Sequence, residues 1–209
     1  GHGPVISDTY GPLEDTDIEK DEEAFKDKAG VDLPENYVIA LSWTAIEPGS
    51  VFEAIWGFNN AANWEEFRQA ASKFHVPAQN LLYADTEGSI GYQMPGTIPI
   101  RKNGDGRYPV PGWTGEYDWV DKIPFEELPY VLNPQSGFIA TANNRVPSFD
   151  YEHFITTDWA YGYRAQAIVE MLEDAPEKID IAYIQKMQGD GENLNARTLV
   201  PLLGQIALE

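Results

Sequence analysis

Two adjacent amides, Asn143 and Asn144, close the run Phe138-Ile139-Ala140-Thr141-Ala142 and are followed directly by Arg145. The run has the composition of a strand and is entered through a turn, Asn133-Pro134-Gln135-Ser136-Gly137. Asn is a poor strand former and is costly to bury without partners. A pair of them at a strand's end has two readings. Either a side chain folds back on its own backbone in an Asx-turn, or an amide is aimed at something. An aimed amide offers two N–H donors, the equipment that stabilises an oxyanion in acyl transfer. From spacing alone the Asx-turn is the plainer reading.

Little else in the chain has the spacing of a reactive centre. There is no cysteine, hence no thiol nucleophile, thiolate metal site or disulfide framework. Three histidines (His2, His75 and His153) are too few for a His-rich transition-metal site. No Ser-His-Asp pattern, P-loop or GxGxxG stands out. The acidic stretch from Glu14 to Asp32 fits no EF-hand order and reads as a solvated helix or surface insertion. Asp105, within Asn103-Gly104-Asp105-Gly106, could hold a hard cation with nearby carbonyls, although an ordinary turn explains it as well.

A net charge of −20 argues against nucleic acid or an anionic membrane as partner. No apolar run approaches the roughly 18 residues of a membrane span. The start, Gly-His-Gly-Pro, has neither the basic nor the apolar segment of a signal peptide and reads as a processed end.

The elements that must position these residues follow from pattern. At 209 residues, 43% hydrophobic and 12% aromatic, the chain is long and apolar enough for one large domain. Short strands are expected at His2–Ser7 and Tyr37–Trp43. The period changes over 51–74, where two helices are expected with a break near Asn59-Asn60 and an N-cap at Asn63. Gln79–Asp85 and Ser89–Met94 flank Thr86-Glu87-Gly88 and read as a hairpin. Pro95 to Pro129, rich in Pro, Gly and rings, reads as an ordered loop pinned by aromatics. Helices are expected from Tyr163 to Pro176, over Ile179–Gln188, and from Asn193 onward. The reading is α+β: β-rich to about residue 145, then helical over about 163–209.

Several segments together resemble the penicillin acylase (penicillin amidase) family of N-terminal nucleophile hydrolases. They are His2-Gly3-Pro4-Val5, Asn63-Trp64-Glu65-Glu66-Phe67, Gln79–Asp85 with Gly88–Tyr92, Pro109-Val110-Pro111-Gly112, and Asn133–Ala140 with Asn143-Asn144. They stand in the family's order and near its spacing, over almost the whole chain. The resemblance implies an αββα sandwich and hydrolysis of an acyl amide: a β-lactam side chain, an acyl-homoserine lactone or a similar N-acyl compound. The family's nucleophile is a Ser at the start of a self-cleaved β chain, its own amine serving as base. No Ser here matches it, so the chain is expected to be an internal fragment of a β chain. Alone it should be inactive, and it should self-associate through faces that the remaining α and β segments cover.

Carried over by position, Asn143 matches the oxyanion-hole Asn and Arg164 the active-site Arg that follows it. Trp56 and Gln79 fall where the family lines its acyl pocket. Gly106, through its carbonyl, and Asp150 are the nearest matches to a structural calcium site whose other ligands lie elsewhere, and the chemistry itself implies no cofactor. The resemblance also implies a periplasmic or extracellular location. A second reading, a non-catalytic carbohydrate- or protein-binding domain, rests on the Trp and Tyr density of residues 108–119 and on the missing nucleophile.

Overall fold

The computed structural model describes residues 2–6 and 38–206. The acidic stretch and the ends of both expected N-terminal strands (Ser7 and Tyr37) lie outside the described residues. The fold is mixed α+β, with helices α1 (Val51–Asn60), α2 (Trp64–Ala71), α3 (Tyr163–Glu173), α4 (Ile181–Gln188) and α5 (Leu194–Leu203). Strands β1 (Leu81–Ala84), β2 (Ile90–Gln93) and β5 (Tyr130–Leu132) form an antiparallel sheet ordered β1-β2-β5. Strands β3 (Pro99–Arg101) and β4 (Trp119–Lys122) make a separate antiparallel pair. Among the described residues no helix is long and apolar enough to cross a membrane.

Strand β2 is the centre of this arrangement, because both of its faces are covered. Tyr92 points into a core with Met94, Ile98, Ile123 and Leu128. Its neighbours Gly91 and Gln93 point the other way and meet Trp64 and Arg68 of α2. The match is geometric: four helix residues advance about 6 Å and two strand residues about 6.6 Å. So Trp64 and Arg68, one helical turn apart, land on alternate positions of the strand.

The Trp64 contact explains Gly91. A Cβ there would lie 2.5 Å from the indole ring, which is itself buried and stacked on Phe67. The ring cannot move aside cheaply. Gly91→Ala is expected to destabilise the chain by about 2 kcal/mol through overpacking, measurable as a lower urea midpoint.

Helix α2 begins where a cap makes it begin. The Asn63 side chain accepts from the Glu66 backbone N–H at 2.9 Å, and Glu66 returns to accept from the Ala62 N–H at 2.8 Å. The break between α1 and α2 therefore falls at residues 61–63 rather than at Asn59-Asn60, whose side chains bond back to carbonyls of α1. Asp180 and Asn193 cap α4 and α5 in the same way.

The hairpin of β1 and β2 is closed by Asp85. Its Oδ1 accepts from the Glu87 and Ser89 backbone N–H groups, and Oδ2 accepts from the Tyr83 hydroxyl. The Ser89 N–H first, then the Tyr83 hydroxyl, hold this carboxyl below its ordinary value of 3.8. A depressed carboxyl stabilises the fold fully above its unfolded value and loses that contribution as pH falls through the folded one. The protection of the Glu87 and Ser89 amides against exchange, relative to the intrinsic rate at each pH, is accordingly expected to fall below pH 3.8 in the native chain. In Asp85→Asn that step should disappear.

Three expectations need correction. Tyr37–Trp43 is not a strand over its described part: it meets the N-terminal segment only at the bridge Val5↔Ala40, then enters a 3-10 turn at Thr44–Ile46. A β-rich composition without a ladder of partners does not make a strand. The run Phe138–Ala142 is also irregular. Asn133 turns the chain out of the sheet at φ +47, with its Oδ1 accepting from the Ile90 N–H; Ile139 then packs against the core and Ala142 is buried. Conversely, the Pro-rich 95–129 segment contains β3 and β4. Pro99 is tolerated because it opens its strand, and a bulge follows between Ile100 and Arg101.

Candidate active site

The two amides divide the two readings between them. Asn144 turns back: its Oδ1 accepts from the Ala142 N–H at 3.0 Å and its Nδ2 donates to the Arg145 carbonyl at 3.1 Å. Asn143 does not. It sits in the left-handed region at φ +62, a conformation that Asn tolerates better than most residues, and it is exposed. The Ala160 N–H donates to its backbone carbonyl at 2.8 Å, which ties the turn to the chain leading into α3.

From the first turn of α3, Arg164 reaches across to the same place. Its Nη2 donates to the Ala142 carbonyl at 2.7 Å and to Asn143 Oδ1 at 2.7 Å. The guanidinium can only donate, so it selects the oxygen of the Asn143 amide. The Nδ2 group is thereby turned away and makes no hydrogen bond among the described residues. The result is an exposed N–H₂ donor on a side chain whose other end is fixed, with a positive charge behind it. Such a donor can stabilise negative charge developing on a carbonyl oxygen. The adjacent Thr141 hydroxyl is buried and finds no partner among the described residues.

Among the described residues no hydrogen bond or ion pair joins the other expected site residues to this pair. Trp56 lies on α1, 67% exposed. Gln79 precedes β1 and is exposed as well. Gly106 is held at φ +83, where a Cβ would meet the Arg101 guanidinium at 2.7 Å. Its neighbour Asp105 is engaged by Arg107 through Nε at 2.8 Å and Nη2 at 2.6 Å, which is the ordinary-turn reading of that residue. Asp150 is held below the usual carboxylate range by the Ser148 hydroxyl. Among the described residues no group of three or more His, Cys, Asp or Glu converges to hold a metal. Gly106 and Asp150 alone fall short of the roughly six to eight oxygen ligands that a calcium ion takes.

Comparison with known proteins bears on what this arrangement belongs to. The family model described as penicillin amidase matches residues 1–209. This chain belongs to the penicillin amidase family. Penicillin G acylase of Escherichia coli is 38% identical over 172 residues, covering 80% of this chain and 20% of that protein. Acyl-homoserine lactone acylase QuiP of Pseudomonas fluorescens is 31% identical over 170 residues, 81% of this chain and 21% of the relative. Among solved structures, thermostable penicillin G acylase from Alcaligenes faecalis matches with a TM-score of 0.62 and 28% identity, over 77% of this chain and 30% of that one. The chain thus spans about a fifth of the length of the curated family members it matches.

Sequence reasoning reached Asn143 and Arg164 through the family resemblance, and spacing alone would have left both as structural. It passed over Arg68, Gln93 and Arg101, which carry buried or half-buried polar chemistry. One signal was available for Gln93: a polar residue inside a strand whose neighbours are buried.

Proposed function

We propose that this chain is the oxyanion-stabilising part of a penicillin-amidase-family hydrolase that cleaves an N-acyl amide bond. The observation that carries the reading is the Arg164 guanidinium bound to Asn143 Oδ1, which leaves the Asn143 N–H₂ facing outward. In the reaction, a Ser from another part of the parent attacks the scissile carbonyl. Its own α-amine takes the hydroxyl proton and later gives it to the leaving amine. The carbonyl oxygen becomes an oxyanion, and Asn143 Nδ2 donates to it. Collapse expels the amine and leaves an acyl-enzyme; water attacks in turn, passes through a second oxyanion at the same donor, and releases the acid. Arg164 touches no reacting atom in this scheme. It positions Asn143.

The substrate class is an N-acyl compound: a β-lactam side chain, an acyl-homoserine lactone, or a relative of these. Relatives bearing both kinds of name support that range. The exposed Trp56 and Gln79 line the acyl pocket once the remaining α and β segments are in place, within an αββα sandwich. Calcium at Gly106 and Asp150 needs ligands from outside the described residues, and no step uses it. The parent works in the periplasm or outside the cell.

Without its nucleophile the chain alone is inactive, and it self-associates. Phe52 and Ile181, 78% and 79% exposed, are the kind of apolar surface that a larger sandwich covers. Light scattering at rising concentration should give masses above the 23.4 kDa monomer; a constant monomer mass overturns that part.

The test of the function is the full-length protein, matured and pure, assayed against a broad panel of N-acyl amides and acyl-homoserine lactones. Hydrolysis of at least one, with a burst of released amine, is expected. A folded, matured protein that cleaves none of them refutes the reading.

A further inference from the structure

We propose that the cavity between β3 and residues 154–158 is a carboxylate-binding site built around the Arg101 guanidinium. The cavity, about 410 Å³, is lined by Arg101, Gly106, Thr97, Thr157, Phe154 and Ile155, with Asp105, Arg107 and Asp158 as its other charged groups. Asp105 pairs with Arg107 and acts on Arg101 only through space, with no hydrogen bond between them. Asp105 is fully engaged by Arg107: its Oδ1 accepts from the Arg107 backbone N–H at 3.1 Å, and its Oδ2 holds the Arg107 guanidinium. Asp158 is exposed. Arg101 is left half-buried with no hydrogen bond from its guanidinium to any described residue.

A guanidinium with five donors, half-buried and without a hydrogen bond among the described residues, is costly to keep. Burial lowers its pKa, which reports that cost. The surroundings are nevertheless shaped to hold it in place. The bulge between Ile100 and Arg101 re-aims the side chain. Trp119 lies 5.7 Å from it, ring to guanidinium. Gly106, with φ +83, leaves the space that a Cβ would take 2.7 Å from Nη2. Any other residue there would crowd the fork and strain the backbone.

The ligand chemistry follows from the donors. One planar fork matches one carboxylate in bidentate geometry. The exposed Asp158 carboxylate in the lining repels a dianion more than a monoanion, so a phosphate is disfavoured. Two sources supply a carboxylate: an acidic side chain elsewhere in a full-length protein, or a free small acid. The inference rests on this cavity and stands whether or not the hydrolase reading does.

The experiment titrates the 209-residue chain with acetate at constant ionic strength, following the Arg101 Nε–H resonance. A saturable shift is expected with acetate and none with chloride. Arg101→Met should lose the resonance and weaken acetate-dependent thermal stabilisation about tenfold or more, the worth of one charge-assisted hydrogen bond. If that variant fails to fold, the wild-type contrast between acetate and chloride still decides. No saturation, or an equal response to chloride, overturns the proposal.

Phenylglyoxal modification of Arg101 in the full-length protein separates the sources. Protection without added acetate identifies an acidic side chain already seated there. Modification that acetate suppresses identifies a free acid. Modification at one rate with and without acetate overturns the site.

Discussion

Asn143→Ala in the matured full-length protein is expected to lower kcat for amide hydrolysis by about 100- to 1000-fold, roughly 3 kcal/mol, with KM little changed. The reason is that the Nδ2 donor meets an oxygen that carries full negative charge only in the transition state. Losing it costs little in the ground state. Because Asn143 stands at φ +62, Ala also brings backbone strain, so Asn143→Asp is the sharper variant. It keeps the oxygen that Arg164 holds and the residue type that tolerates this backbone, and it replaces the donor by an acceptor. Its kcat should fall at least as far as that of Ala. Steady-state kinetics with circular dichroism, to show that both variants fold, checks this.

The second large effect is on stability. Arg68→Ala is expected to destabilise the 209-residue chain by about 3 kcal/mol, summed from one buried acceptor left bare and two lost cation–π contacts. Gln93 has no exposed surface; among the described residues its Nε2 is satisfied by the Met94 carbonyl at 3.1 Å and its Oε1 only by Arg68 Nε at 2.9 Å. The same guanidinium lies 4.0 Å from the Tyr130 ring and 5.1 Å from that of Phe125, and pairs with Glu126 at 2.8 Å. Glu126 is 72% exposed and adds little. Gln93→Leu should cost a similar amount for the opposite reason, an unpaired Arg68 Nε. The double change Arg68→Ala with Gln93→Leu should cost less than the two singles together, since neither partner is then stranded. Urea unfolding of the four proteins measures all of it.

Local chemistry was legible in the sequence, and pairing was not. Asn63 before an acidic turn announced α2, and Asp85 with Gly88 announced the β1–β2 hairpin, because caps and turns are written in adjacent residues. Strand partnership is not local. Phe138–Ala142 has strand composition and finds no ladder, while Tyr130–Leu132 looks unremarkable and becomes an edge of the sheet because it meets β2. The same limit hid the reason for Gly91 and Gln93, which lies 27 and 25 positions earlier, in Trp64 and Arg68. At the site, pattern led to two adjacent amides, and only their partners distinguish them. Asn144 faces its own backbone; Asn143 meets an arginine 21 residues on.

The most direct measurement is a double-mutant cycle on kcat with Asn143→Ala, Arg164→Met and the double variant in the matured full-length protein. If Arg164 works by turning the Asn143 amide, its removal lowers kcat while Asn143 is present and adds nothing once Asn143 is gone. The double variant should then be as slow as Asn143→Ala and no slower. Losses that simply add would mean that Arg164 acts on the reaction independently of Asn143, and the positioning role assigned to the 2.7 Å contact would be wrong.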